Sequence, residues 1–183
     1  MSIKYLFKRF IFRLRAEYTT EDLIKTGLKV GKNFQRNEGV IIDPSHCWLI
    51  EIGNDVTLAP RVHILAHDAS TCHILGYAKI GRIRICDNVF IGASSVILPN
   101  VKIGANSIVG ANSTVTRDIP ANVVVAGSPA KVICTLDEYI AKNKELMQEG
   151  PVYEEDYTLR KNIPEEKKNQ QFEELKQHIG FVK

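Results

Sequence analysis

Between Ile52 and Pro120 the apolar positions of the chain recur with a period of six. Ile85, Ile91, Ile97, Ile103, Val109 and Val115 follow one another without a miss, and Ile52, Leu58 and Ile64 keep the same phase before them. The position after the aliphatic residue is Gly92, Gly104 and Gly110 in half of the later units. Four positions after it stand Val89, Ser95, Val101, Ser107, Ser113 and Ile119, each small or β-branched. This period fits neither the 3.6-residue repeat of an amphipathic helix nor the plain alternation of a hairpin sheet. It fits short strands joined by tight corners, three hexads to each turn of a triangular coil, with the aliphatic residue inside and each coil stacked on its neighbours. Glycine, asparagine and aspartate serve the corners, where positive φ is expected.

The phase weakens around Val30 and Ile42 and is interrupted twice. Leu65 to Arg84 form a twenty-residue insertion carrying His67, Asp68, Cys72, His73, Gly76 and Tyr77. A long insertion in a compact solenoid leaves the coil as a loop and often bears function. A smaller slip around Ser45 to Ile50 holds His46 and Trp48. The flanks read as helical. Thr19 caps a short helix that Gly27 ends; Thr135 and Glu138 make a capping box for Leu136 to Gln148, closed by Gly150 and Pro151; and Pro164 opens a polar helix running to about His178. The predicted organisation is a helical segment over 1–27, a β-solenoid over 28–133 with an extruded loop at 65–84, and a helical extension over 134–183 that covers the open last coil.

The 183 residues, 44% hydrophobic and 25% charged, allow one cored domain with extensions and exclude disorder or a collagen-like assembly. A net charge of +3 is too mild to demand nucleic acid as a partner. Cys47, Cys72, Cys86 and Cys134 contain no CxxC pair, so neither a zinc ribbon nor a disulfide framework is expected, and a reducing, cytoplasmic setting fits. No stretch approaches about 18 uninterrupted apolar residues. Residues 3–15 would put Ile3, Phe7, Phe10 and Leu14 on one helical face and Lys4, Lys8 and Arg15 on another, the composition of a helix lying on a membrane surface. Packing on the first coil or on a neighbouring subunit is the favoured reading, since no lipidation motif accompanies the segment.

The segments IGASSVILPNVKIGANSIVGANSTVTRDIP and VVVAGSPAKVI resemble the hexapeptide-repeat acyltransferases, in particular the sugar O-acetyltransferase branch of galactoside and maltose acetyltransferases. The resemblance covers about residues 30–133. It implies a left-handed parallel β-helix, a homotrimer, and acetyl-coenzyme A bound between subunits for transfer to a sugar hydroxyl or amine.

Acyl transfer from a thioester needs a base for the acceptor's proton and donors for the tetrahedral oxyanion. Histidine suits the first role. His67 lies three positions past Ile64, so the hexad phase points it out of the prism at the start of the loop, and the resemblance puts a catalytic histidine in this neighbourhood; His73 and His63 are its rivals. Asp68 is a candidate for the acceptor or for orienting a ring, although adjacent strand residues face opposite ways and solvation is the plainer reading. The resemblance carries coenzyme A contacts onto Ala93, Gly110, Ala111, Thr116, Arg117 and Lys131, the last two as cations for its phosphates, and places Phe90 beside the active site. Trp48 and His46 are further acceptor-site candidates. A metal site from His46, Cys47, Cys72 and His73 is disfavoured because adjacent ligands diverge on extended chain, and no metal is expected.

The resemblance thus implies an acetyl-coenzyme A dependent O-acetyltransferase acting on a sugar or nucleotide-sugar acceptor, and it alone implies a place in polysaccharide or cell-surface glycan assembly. Alternatives are an N-acetyltransferase for a nucleotide-linked amino sugar, a non-catalytic trimer, or a metal-dependent one built on His63, His67 and His73.

Overall fold

The computed structural model describes residues 18–158 and 161–183. They divide at Leu136 into two compact units. The segment 3–15, weighed above as a membrane-surface helix, lies outside the described residues.

The first unit is a coil of short parallel strands stacked into three faces. The first face stacks Lys29–Val30, Ile50–Ile52, Ile83–Ile85 and Val101–Ile103. The second stacks Gln35–Arg36, Thr57–Leu58, Phe90–Ile91, Ile108–Val109 and Val123–Ala126, and the third Ile41–Ile42, His63–Ile64, Val96–Ile97 and Thr114–Val115. Each coil visits the faces in that order, so the hexad is one side of the prism. Ile85, Ile91, Ile97, Ile103, Val109 and Val115 are all buried and stack with Ile52, Leu58 and Ile64 in the core. Each such side chain contributes about 1.5–3 kcal/mol on full burial.

The position four residues on is inside as well, which explains its serines. Ser95 and Ser113 donate their hydroxyls to the Gly110 carbonyl at 2.9 and 2.7 Å, and Ser107 donates to the Pro120 carbonyl at 2.8 Å. The corners take the left-handed conformation on the same six-residue beat. Asn88, Ser94, Asn100, Asn106 and Asn112 have φ between 56° and 63°. Asparagine visits this region more easily than most residues and adds a ladder between coils: the Asn88 amide donates to Asn106 at 3.0 Å, and that of Asn106 to Asn122 at 2.9 Å. Glycine follows the core residue where coils touch most closely, since a Cβ at Gly92 would stand 2.5 Å from the Ala111 nitrogen.

Coil length varies at a single corner. Partners Ile91 and Val109 are 18 residues apart in sequence. Arg36 and Leu58 are 22 apart, so four extra residues leave the first coil, and Leu58 and Ile91 are 33 apart, so 15 leave the second. Both excursions fall between the third face and the first. The shorter contains a single 3-10 turn, Cys47–Leu49. The longer begins with His67–Asp68 paired antiparallel to Lys79–Ile80 and closes over a 3-10 turn, Ala69–Thr71, and helix α2, Cys72–Leu75.

Helix α1, Thr20–Lys25, precedes the first coil; the Thr19 hydroxyl accepts from the Asp22 N–H at 3.1 Å, and Gly27 follows at φ 117°. Its buried Leu23 carbonyl accepts the Cys47 thiol at 3.6 Å, which ties the helix to the shorter excursion. Burial pushes the Cys47 thiol pKa up. At the other end Lys131–Thr135 pairs antiparallel with Val123–Ala126, covering the edge of the second face with strand.

The second unit holds helix α3, Leu136–Glu149, and α4, Glu165–Glu174, with Val152–Tyr153 parallel to Phe181–Val182. Helix α4 ends at Glu174, short of His178, because its apolar residues are too few to anchor a further turn. Tyr153 is buried, packs on Tyr157 at 4.7 Å between ring centres, and donates its hydroxyl to Glu174 at 2.8 Å. Burial, with the Glu174 carboxylate as second cause, pushes the Tyr153 phenol up to about 12.

Candidate active site

The corner where the coils lengthen brings Asp43, His46 and His67 together. Asp43 follows core residue Ile42, as Leu65 follows Ile64, and its amide donates to the Ile64 carbonyl at 2.9 Å. Pro44 then turns the chain into the shorter excursion, and the Asp43 carboxylate folds back. One oxygen accepts the Ser45 N–H at 2.9 Å; the other accepts the Ala66 N–H at 3.1 Å and meets His67 Nδ1 at 2.5 Å. The Asp43 side chain is wholly buried while that of His67 keeps 35% of its surface exposed. A buried carboxylate on one nitrogen of a partly exposed imidazole is the arrangement of an oriented base.

Asp43 was not among the residues singled out in the sequence. Asp68, which was, is engaged elsewhere: it takes the Lys79 ammonium at 2.6 Å and the Ser70 N–H at 2.9 Å. These, the lysine first, hold its carboxyl well below the usual carboxylate range. His63 stands on the outer side of the third face, in register with Ile41 and Val96, and His73 is exposed on α2. Among the described residues, His67 is the histidine with a carboxylate partner.

His46 and Trp48 lie beside the dyad. The His46 ring centre is 5.3 Å from that of His67 and 5.2 Å from that of Trp48. Trp48 is 50% exposed, and its Cβ passes so close to Gly27 that a Cβ there would sit 2.8 Å away. Positive φ and this close approach together require glycine at position 27. Asp43, His46 and His67 each offer one ligand atom, and these atoms lie within 4.8 Å of one another.

The residues carried over for coenzyme A bracket the third face. Thr116 and Arg117 follow Val115 on the edge that bears Asp43 and His67, two coils beyond His67 and three beyond Asp43. Ala93, Gly110 and Ala111 lie at the opposite edge of that face, with the Ala93 carbonyl accepting the Asn112 N–H at 2.8 Å. Arg117 and Lys131 line one surface pocket with Pro129 and Ala130. Phe90, 43% exposed, stands on the second face, opposite the His67 edge, so one chain does not bring the two together.

The profile of the bacterial transferase hexapeptide family (six repeats) matches residues 82–117. Protein CapG of Staphylococcus aureus is 37% identical over 169 residues, 87% of this chain and 92% of its own. Galactoside O-acetyltransferase of Escherichia coli (strain K12) is 38% identical over 116 residues, 62% of this chain and 56% of its own. Among solved structures, a maltose O-acetyltransferase from Clostridium difficile 630 is similar with a TM-score of 0.54 and 38% identity, covering 60% of this chain and 59% of that one. A hexapeptide-repeat containing acetyltransferase from Vibrio cholerae O1 biovar eltor, complexed with acetyl-coenzyme A, is similar with a TM-score of 0.54 and 30% identity, over 60% and 61%. The chain thus spans little more than half the length of the named sugar acetyltransferases and nearly all of Protein CapG. With the hexad visible in both sequence and coil, and a relative aligned along most of its length, the chain belongs to the hexapeptide-repeat transferase family.

Proposed function

We propose that the protein transfers an acetyl group from acetyl-coenzyme A to a hydroxyl of a sugar or glycan precursor, with His67 as general base. The observation that carries this reading is the 2.5 Å contact between Asp43 Oδ2 and His67 Nδ1. The carboxylate favours the tautomer with its proton on Nδ1 and leaves the Nε2 lone pair toward solvent. An acceptor hydroxyl gives its proton to Nε2 as its oxygen attacks the thioester carbonyl. The tetrahedral intermediate then expels the thiolate, which takes the proton back from the imidazolium. A hydroxyl needs such a base more than a neutral amine does, which favours O- over N-acetylation.

Acetyl-coenzyme A lies along the third face of a left-handed prism in this reading. Ala93, Gly110 and Ala111 leave room for its thin arm, with main-chain donors near Ala93 for the oxyanion, and Arg117 and Lys131 take its phosphates. A homotrimer brings Phe90 of a neighbouring subunit to the His67 edge. The exposed Trp48 ring offers an apolar surface for the C–H face of the acceptor sugar, and Asp68, next to His67 at the base of the longer loop, is a further acceptor contact. The name of the galactoside enzyme and that of the maltose enzyme support a sugar acceptor.

The test is His67→Ala. Turnover should fall at least about tenfold, within the usual 10²–10⁴ worth of a general base, while acetyl-coenzyme A still binds by calorimetry. Unchanged turnover would move the role to His63 or His73.

A further inference from the structure

We infer that Asp43, His46 and His67 form a binding site for a divalent transition-metal ion of the zinc type, and that the ion acts as an inhibitor, locking the base. The second half of this inference rests on the dyad reading above; the first half does not.

The donor set is one carboxylate oxygen and two imidazole nitrogens within 4.8 Å of one another. Imidazole ligands suit zinc, cobalt and their neighbours, whereas magnesium and calcium prefer oxygen. The carboxylate is already aimed. The Ser45 and Ala66 amides hold its two oxygens, the outer support that orients metal ligands. An independent observation points the same way: His46 Nδ1 is buried and has no hydrogen-bond partner, the one such side-chain atom among the described residues. A nitrogen withdrawn from water with nothing to bond is a group that a Lewis acid would satisfy.

In a tetrahedral shell with bonds of about 2.0–2.1 Å, ligand atoms stand about 3.3 Å apart. Asp43 Oδ2 and His67 Nδ1 are 2.5 Å apart, so the pair opens by less than about 1 Å and the proton between them gives way. A neutral imidazole that binds a metal through Nδ1 carries its proton on Nε2. The proton changes nitrogen, none is gained or lost, and the atom that should accept the acceptor's proton has no free lone pair. The same carboxylate that prepares the base therefore prepares its blockade.

The test uses tag-free, reduced, chelator-treated full-length protein. Titration with cobalt(II) should give the visible absorption of a tetrahedral N/O site at one ion per chain, and calorimetry with zinc should give the same stoichiometry. His46→Ala and Asp43→Asn should each weaken binding at least about tenfold, and Cys72→Ser should leave it unchanged. Absence of binding to folded protein, equal affinity in His46→Ala, or thiolate charge-transfer bands that vanish in Cys72→Ser would each overturn the site. Zinc should also lower turnover of chelator-treated enzyme; full turnover with the site saturated would overturn the inhibitory half. A protein that binds cobalt through His46 but acetylates no acceptor would uphold the metal site and overturn the dyad reading alone.

Discussion

Asp43 and His67 are 24 residues apart in sequence and 2.5 Å apart in space, and the distance is closed by two chain excursions that leave the coil at one corner, one above the other. Neither excursion makes the contact alone. The shorter one turns the carboxylate back, the longer one starts with the ring, and the Ala66 amide spans the step between them.

The contact predicts the behaviour of Asp43→Asn. The isosteric amide keeps one acceptor oxygen, for Ser45, and puts its NH2 group where the other oxygen met both the Ala66 N–H and His67 Nδ1, which drives the ring proton to Nε2 and leaves the Ala66 N–H without that acceptor. Turnover should fall by about 10² or more with little change in acetyl-coenzyme A affinity, and the melting temperature should drop because the buried Ala66 N–H loses its acceptor. Steady-state kinetics beside calorimetry separates this from misfolding, and turnover within threefold of the parent would mean that His67 needs no carboxylate.

Trp48→Ala should raise the acceptor KM about five- to tenfold while leaving kcat within about twofold, and Trp48→Phe should recover most of the loss. If KM for the acceptor is the same in all three proteins, the exposed ring is not a sugar platform.

Arg117 and Lys131 share a pocket, so their removal should weaken acetyl-coenzyme A more than its 3′-dephospho analogue, which lacks one charged group. Each single alanine variant should cost about two- to tenfold in affinity at low salt, with the effect shrinking as salt is raised. Equal losses for donors with and without the 3′-phosphate would assign the pocket another role.

In the core, Ile97→Ala should cost about 2–5 kcal/mol, since its side chain is fully buried between coils. Urea unfolding monitored by far-UV circular dichroism reads this directly. A cost below about 1 kcal/mol would mean that the stack relaxes around the gap.

The second unit carries a pH signature. The folded-state pKa of Tyr153 is raised to about 12 from an ordinary 10.0, so the folded state holds its proton where the unfolded state has lost it. Its contribution is complete below pH 10 and is lost as pH rises toward 12. The unit should melt at progressively lower temperature across that window, and Tyr153→Phe should flatten the dependence; a parallel slope in the variant would place the alkaline sensitivity elsewhere.

The hexad was legible because one small period dictates both burial and corner geometry. Ile85 to Val115 mark the core and Asn88 to Asn112 mark left-handed corners from the same count. His67 was legible for the same reason, since phase places it outward where the coil opens. Asp43 was not, because its importance arises only when unequal coils are stacked. Counting back from Ile64 to its partner Ile42 would have found it, as the first residue after a core position and a charged one where Leu65 and Leu98 stand in later coils. The hexad phase also lags the strands at the end of the loop. Ile83 already pairs with Ile50 and Val101, so the prism resumes before the hexad phase becomes visible at Ile85.

Three faces of inter-coil hydrogen bonds fix the register of every strand, yet the first two coils hold four and 15 residues more than the third. The corner between the third and first faces is therefore a place where the chain can be lengthened, shortened or rewritten without any strand losing its partner. The proposed acceptor side of the site is built from that adjustable corner, and the proposed donor side from the tightest coils. On the proposed function, two halves of one reaction are thus held to different tolerances, and a new acceptor can be accommodated by editing loop length while the acetyl donor stays the same.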